Sequence, residues 1–444
     1  MARTNKLLRQ LGSCLAARRR LCTSTADTSI HRSPITAHLW QTRGDEGGVD
    51  SPSNSRIAVT YPFSTDSEIR ERYANPWGFV SHGIVFEDLD ALAGNVAFRH
   101  CNTATAAEAP MLVTAAVDKI KLLRSITVGS DVEMIGKVIW TGRSSLIIRM
   151  TLQQQRGATE SDNTSADDDA EVCMEANFTF VARDAATKKA VGIAPFAPST
   201  PREEVLFEQC ERRYARLTWR RGMERAQQAR DWARVAELRA ALNSDDAAAQ
   251  QREDERLTEE KASVAALLTE AQQALAMPAL AAVDAGVVLM PVTRLENSLI
   301  CQPQQRNTAG RVFGGFLLRR AYELAFACSY TFGGRRPIFR RVDEVTFHTP
   351  VDVGDVVRLR AHCLHTESGD GVESTVEVRV EAHVLRPERR EVVLSNSFEY
   401  TFAFANRSGE IGSRTSHTLP RVLPTNEDEA STIVRAMHNS RSDE

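Results

Sequence analysis

At 444 residues the chain is long enough for two or three domains, each able to bury its own core. Charged residues make up 25% of it, yet the formal net charge is only -3, which argues against a dedicated nucleic-acid binder. No stretch supplies the roughly 18 consecutive apolar residues of a membrane span, and the eight cysteines lack the CxxC or Cys/His spacing of a metal site or a disulfide framework. Reduced thiols and no bound metal are therefore expected.

Residues 1–25 carry Arg3, Lys6, Arg9, Arg18, Arg19 and Arg20 with no acidic residue before Asp27, and Leu7, Leu8, Leu11 and Leu15 share one helical face. A basic, acid-free, amphipathic start that ends in Ser and Thr has the character of a mitochondrial transit peptide. Residues 26–73 are rich in turn formers and poor in periodic apolar positions, so they read as a lead-in segment with little core of its own.

The first domain is placed at 74–202. Ser81 to Cys101 has Leu89, Leu92, Ala93 and Val96 at helical spacing and reads as one buried helix. MLVTAAVDKIKLL, VGSDVEMIGKVIW, SSLIIRMTL and EVCMEANFTFVARD follow as four β-branched or aromatic runs, with a tight turn at Thr141 to Ser144 and an acidic surface insert from Gly157 to Ala170. One helix followed by mostly antiparallel strands predicts an α+β domain whose helix packs on the concave face of the sheet. Residues 203–285 change to Ala, Arg, Glu and Gln with a sparse apolar stripe of Trp219, Trp232, Leu238 and Leu242, which predicts a charged connector of two helices broken near Asn243 to Asp246. The first pattern returns over 286–408, and 409–444 reads as a polar tail.

The second pattern contains the most informative stretch, Cys301 to Ala327. A polar loop holding Asn307 runs through Gly310 into the paired glycines Gly314 and Gly315 and then into an Ala-rich helix. First-turn N–H groups lack intrahelical partners, and glycines there let a ligand oxygen come close; a plain glycine turn ahead of a core helix is the alternative. The stretch also has an earlier echo: 307 minus 75, 310 minus 78, 312 minus 80 and 315 minus 83 all equal 232, so Asn75, Gly78, Val80 and Gly83 fall on Asn307, Gly310, Val312 and Gly315. VDKIKLLRSITVGSDV likewise falls on VDEVTFHTPVDVGDVV. Two motifs repeated in the same order imply duplicated domains packed as an intramolecular pseudo-dimer.

The repeat is asymmetric where chemistry would sit. Seven positions after Gly83 stands Asp90, whereas Tyr322 stands seven after Gly315, with Glu323 beside it but turned about 100° around the helix. A lone carboxylate on an apolar helix is costly unless paired or functional. Asp90 is the candidate general base or nucleophile, Asn307 the residue that orients water or substrate, and the N–H groups of Gly314 and Gly315 the donors to a carbonyl oxygen. The helix of one half is expected to meet the loop of the other. A mirror site built from Asn75, Tyr322 and Glu323 lacks the helix carboxylate and is expected to be degenerate.

NTAGRVFGGFLLRRAYELAFA with RRVDEVTFHTPVDVGD, and FEDLDALAGNVAFRHCN, resemble the hotdog-fold acyl-coenzyme A thioesterases, in particular their mitochondrial tandem type. The resemblance runs from about Gly78 to Phe404. It implies two hotdog domains, each a long helix wrapped by a curved antiparallel sheet, joined edge to edge and hydrolysing fatty acyl-CoA without a cofactor, the CoA thioester being the substrate. It places the family's Asn on Asn307, its helix-start glycines on Gly314 and Gly315, and its carboxylate on Asp90. His82 and Pro76 depart from the pattern in the first domain. The resemblance further suggests a homo-oligomer, a trimer of tandem hotdogs, in the mitochondrial matrix. Arg311, Arg335, Arg336, Arg340 and Arg341 are candidates for the CoA phosphates by charge, and Phe316, Leu317, Phe326, Leu92 and Val96 for an acyl tunnel. An acyl-thioester hydratase or dehydratase, with His82, His348 or His362 in an acid–base pair, and a non-catalytic assembly or ligand-sensing module are the other classes considered.

Overall fold

The computed structural model describes residues 55–101, 110–155, 170–228, 237, 244–276, 286–307, 310–343, 345–367, 373–404 and 419–441. The expected transit peptide, nearly all of the acidic insert, and Trp232, Leu238 and Leu242 of the connector stripe lie outside these residues.

In the first half, strand β1 (Ile57–Tyr61) and helix α1 (Ser67–Tyr73) precede the long helix α2 (His82–Cys101). Strands β2 (Met111–Val117), β3 (Ile120–Leu122), β4 (Val132–Thr141), β5 (Ser145–Gln155) and β6 (Ala170–Arg183) follow. The predicted run MLVTAAVDKIKLL is thus broken at Asp118 into two strands, while the turn after Thr141 falls as expected. From Val132 to Val138 of β4 every second residue is buried, the period-two signature of a sheet with one face on a core. That core is closed by Leu89, Leu92, Ala93 and Val96 of α2, which have no exposed surface.

The second half repeats the plan. Short β7 (Val287–Leu289) and β8 (Leu295–Ile300) lead to helix α5 (Gly314–Gly333), whose number follows two connector helices, α3 (Pro201–Gln228) and α4 (Ser244–Ala276). Strands β9 (Ile338–Val342), β10 (Val345–Thr346), β11 (Val356–Glu367), β12 (Ser374–Arg386) and β13 (Glu391–Phe404) wrap α5. All these strands except β7 join β1 to β6 in one 12-stranded antiparallel sheet. The halves meet edge to edge at two equivalent places: Ile120 pairs with Val342, and Val117 with Val345. Since 345 minus 120 and 342 minus 117 both give 225, each contact is the pseudo-two-fold copy of the other. The chain is therefore two tandem hotdog units forming a pseudo-dimer, as the repeat implied.

Two boundaries differ from the sequence reading. The lead-in segment is not separate: β1 pairs with β4, and Tyr61, Phe63 and Tyr73 are wholly buried. The hydroxyls of Tyr61 and Tyr73 both donate to Oδ2 of Asp88, a buried carboxylate on α2 that faces away from Asp90 by about 200° of helix rotation. Nor is the C-terminal segment an unpacked tail. Strand β14 (Arg421–Leu423) runs parallel to β7, and helix α6 (Glu427–Arg441) buries Ala430, Ile433, Val434 and Ala436. Both segments alternate few apolar residues with many polar ones, so local periodicity is weak; the completed sheet supplies the surface they cover. The connector is tied down as well: Phe207 and Cys210 of α3 pack on Ile139, Trp140 and Ile147, and Arg213 chelates Asp118 at 2.9 and 3.1 Å.

Removing the shared acceptor in Asp88→Ala takes the carboxylate partner from two buried tyrosine hydroxyls, Tyr61 retaining the weaker Met134 sulfur at 3.8 Å, and is expected to cost about 3 kcal/mol in urea unfolding; a loss below about 1 kcal/mol would show that the staple is dispensable. A second expectation concerns pH. Glu377 of β12 and Asp343 share Arg341 at 3.0 and 3.3 Å, and burial, reinforced by the Asp343 charge, pushes Glu377 up from its ordinary 4.5 to about 8. A carboxyl raised in the fold takes up a proton on folding, so its contribution to stability falls as pH rises from about 4.5 to 8. Glu377→Gln should therefore raise the melting temperature more at pH 9 than at pH 5, and a difference independent of pH would contradict this.

Candidate active site between the two domains

Helix α5 begins without a cap of its own. Phe313 holds the N-cap position in extended backbone, φ -72 and ψ 134, and offers no side-chain acceptor to the first turn. The acceptor comes instead from the other domain: the Gly315 N–H donates to Oδ2 of Asp90 at 2.6 Å. Thr114 of β2 donates its hydroxyl to Oδ1 at 3.1 Å. Asp90, only 1% exposed, thus has donors on both oxygens and lies at the positive end of the α5 dipole. This arrangement favours a carboxylate where an apolar helix pair alone would oppose one.

Such contact requires glycine. A Cβ on Gly315 would lie 2.8 Å from the Phe313 ring and 3.0 Å from both Asp90 Cβ and the Glu87 backbone. On Gly314 it would lie 3.2 Å from Asp90 Oδ2 and 3.1 Å from the Phe347 ring. Residues 87 and 319 differ by the repeat length of 232 and meet each other across the pseudo-two-fold axis, Arg319 donating to Glu87 at 3.0 Å.

Asn307 is first of all a loop former. Its Oδ1 accepts the Arg311 N–H at 3.1 Å, its carbonyl accepts the Gly310 N–H at 3.0 Å, and Gly310 takes the left-handed φ of 80. Asn75 does the same in the first half, with Trp77 and Phe79 N–H groups on its Oδ1 at 3.0 and 3.1 Å and Gly78 at φ 79. Twin loops therefore lead into twin helices, and the chemistry differs only beyond them.

In the mirror position Tyr322 replaces Asp90 and His82 replaces Gly314. Tyr322 Oη and His82 Nδ1 are hydrogen-bonded at 3.2 Å. Burial pulls His82 down to about 4 and raises the Tyr322 phenol well above its usual range, so both are neutral near pH 7. Phe339, which stands on the strand where the first half has Thr114 (339 minus 114 is 225), lies 5.5 Å from the Tyr322 ring and 5.3 Å from His82, and Phe86 is 5.2 Å from Tyr322. Glu323 points elsewhere, pairing with Arg319 at 3.0 Å and Arg320 at 2.6 Å. Aromatic packing fills the place where a carboxylate and its hydroxyl donor sit on the other side.

The arginines expected at the CoA phosphates each have a protein partner. Arg311 lies 3.6 Å from Asp352, Arg335 and Arg336 lie past the end of α5 over the rings of Phe404 and of Trp77 and Phe79, Arg340 pairs with Glu373, and Arg341 with Glu377. Like charge in a sequence does not fix which face of a strand or helix end each residue occupies. Of the expected tunnel residues, Phe316 borders a cavity of about 330 Å³ shared with Glu87, Phe313, Arg319 and three glutamines, Gln302, Gln304 and Gln305. Leu92, Val96 and Leu317 are core residues, and Phe326 packs on the mirror side against Trp77 and Tyr322. Sequence reading missed Thr114, Phe313 and Phe347, each an ordinary strand or loop former by type. Only the mismatch of Thr114 with Phe339 in the repeat could have marked one of them.

Two fused hotdog units with an acid-bearing helix of one capping the helix of the other define a tandem hotdog protein. The thioesterase superfamily profile matches residues 78–161 and 309–388, once in each unit. Acyl-coenzyme A thioesterase 2, chloroplastic, from Humulus lupulus is 38% identical over 92% of this chain and 89% of its own length. Acyl-coenzyme A thioesterase 4, mitochondrial, of the same plant is 37% identical over 92% of this chain and 73% of its length. Acyl-coenzyme A thioesterase 9, mitochondrial, from Homo sapiens is 30% identical over 79% and 71%. The chain belongs to the acyl-coenzyme A thioesterase family and is a thioester hydrolase.

Gly315→Ala should separate α2 from α5 and pull the donor off Asp90, lowering kcat at least about 30-fold and stability by about 1–3 kcal/mol. Its counterpart Gly83→Ala meets the flexible Arg319 side chain and the Tyr322 ring, each at 3.3 Å, with the Arg319 carbonyl at an ordinary 3.8 Å, and should change kcat less than about threefold. Equal effects would mean that the two sides are chemically equivalent.

Proposed function

We propose that the chain hydrolyses fatty acyl-CoA to the free acid and coenzyme A at a single inter-domain site, with Asp90 as general base. The observation that carries this reading is the Gly315 N–H to Asp90 bond of 2.6 Å, which fixes one carboxylate oxygen at a helix start and orients the other. Asp90 takes a proton from a water whose oxygen attacks the thioester carbon. The carbonyl oxygen becomes an oxyanion on the Gly314 N–H, which has no intrahelical acceptor. The C–S bond then breaks, and the proton held by Asp90 passes to the leaving thiolate. Asn307, on the loop ahead of α5, orients the water or the thioester through its amide. Gly315 in this scheme holds the base and is not the main carbonyl donor, a refinement of the role expected from sequence.

The relatives named for mitochondria and chloroplasts support an organellar location, and the basic first 25 residues favour the mitochondrial matrix. No helix among the described residues is long and apolar enough to cross a membrane. We further propose a homo-oligomer, a trimer of this tandem unit.

Free-thiol release measured over a series of acyl-CoA lengths tests the activity. Asp90→Asn should lower kcat by roughly 100-fold or more with little change in KM, while Tyr322→Phe and Glu323→Gln stay within about threefold. Retention of most of the rate by Asp90→Asn would remove the proposed base while leaving hydrolysis standing, and absence of thiol release by the wild type at every length would remove the hydrolysis itself.

A further inference from the structure

Domain 1 has a second cavity, of about 630 Å³, on the outer face of its sheet beside the first turns of α3 and away from Asp90. Its size lies within the range of about 300–1,000 Å³ that small-molecule sites occupy. Ile135 from the sheet, Phe196 from the segment before α3, and Val205 and Leu206 from α3 give it an apolar body.

Cations crowd one side of that body. The sheet register sets Ile57 opposite Gly136 and Lys137 opposite Arg149, so Arg56, one residue before Ile57, falls beside Lys137. Three positive side chains thus form a row across adjacent strands, and all three line the cavity together with Arg202 of α3. Like charges placed opposite each other on neighbouring strands oppose folding unless an anion answers them. Arg149 has Glu175 at 2.6 Å. Glu203 accepts hydrogen bonds from the Ser199 N–H and hydroxyl at 3.0 and 2.9 Å and also feels the Lys137 charge, so two carboxylates face four cations around the cavity. Arg56, Lys137 and Arg202 make no ion pair or hydrogen bond among the described residues.

The other domain provides the contrast. Its equivalent row is Arg294, His362 and Arg379, by the register of Leu295 with Ala361 and His362 with Arg379. There Arg294 meets Glu296 at 3.3 Å, while Arg379 pairs with Glu399 and donates to Thr432 of α6 at 3.2 Å. The same scaffold is neutralised and covered by protein in one domain, and left cationic beside an apolar cavity in the other.

We propose that this domain 1 cavity binds a long-chain carboxylate, its head group on Lys137, Arg56 and Arg202 and its alkyl chain along Ile135, Phe196, Val205 and Leu206. The identity of the ligand as a fatty acid rests on the proposed hydrolysis, which releases one, whereas the site itself does not. The contiguous apolar body suits an alkyl chain, while Ser55, Thr151 and Gln153 on the rest of the lining could serve a nucleotide base, so a nucleotide is the competing ligand that the test must separate.

The test uses the full chain and dodecanoate carrying an ω-terminal diazirine, irradiated and mapped by peptide mass, so that location is read without turnover. Labelling is expected on Val132–Thr141 and on the first turns of α3, blocked by excess dodecanoate and not by excess ADP. Lys137→Glu should lower it at least about tenfold and Lys137→Gln by a smaller factor, with the initial rate of acyl-CoA hydrolysis unchanged in both. Because Lys137 points out of the sheet, neither change touches the core. Label confined to α2, α5 or β2, equal labelling of Lys137→Glu and wild type, or displacement by ADP but not by dodecanoate would each overturn the proposal.

Discussion

A buried carboxylate tolerates few surroundings, and that of Asp90 sets terms for both domains. It needs donors that its own helix cannot give, because backbone N–H groups inside α2 are spent within the helix. The start of α5 has the opposite need, having N–H groups without acceptors and only Phe313 at its cap. The bond between Gly315 and Asp90 meets both needs at once. It demands that α2 and α5 approach within a Cβ radius, that glycine occupy the contact, and that the two sheets join closely enough to hold the helices there.

Duplication followed by divergence explains the asymmetry. The two loops, with Asn75 and Asn307 at their bends, keep the same hydrogen-bond pattern to within a few tenths of an ångström. Past the loops one side keeps glycine, aspartate and threonine, and the other has His82, Tyr322 and Phe339. The second set cannot hold a charge in the same place: its members are neutral, and ring edges fill the volume. That packing is also part of the interface, so the aromatic side contributes stability to the arrangement on which the polar side depends. The divergence extends to the outer sheet faces, where α6 seals one cation row while the other borders a cavity.

Much of this was legible from residue order alone. The constant offset of 232 gave the duplication, the glycine pair gave the helix start, and the exchange of Asp90 for Tyr322 gave the asymmetry. Misreadings arose where a residue's meaning depends on a distant partner. Tyr61 and Tyr73 looked like part of a featureless lead-in, since Asp88 and the β4 edge that bury them come later in the chain. The segment after Leu419 looked polar because its apolar residues find a surface only once β7, β11 and α4 are in place. Thr114 carried no local signal at all.

What the sequence by itself determined is the repeated α+β plan, the two helix starts and the difference in residue type between them, because periodicity, glycine placement and spacing are local properties. Only the tertiary structure decided that Asp90 caps the other domain's helix, that Asn307 braces its own loop, which partner each of the five arginines takes, and that a cationic row lines an outer cavity. Each of these is a matter of which surfaces meet when two sheets join at their edges, and a contact between residues more than 200 positions apart leaves no mark on the residues between them.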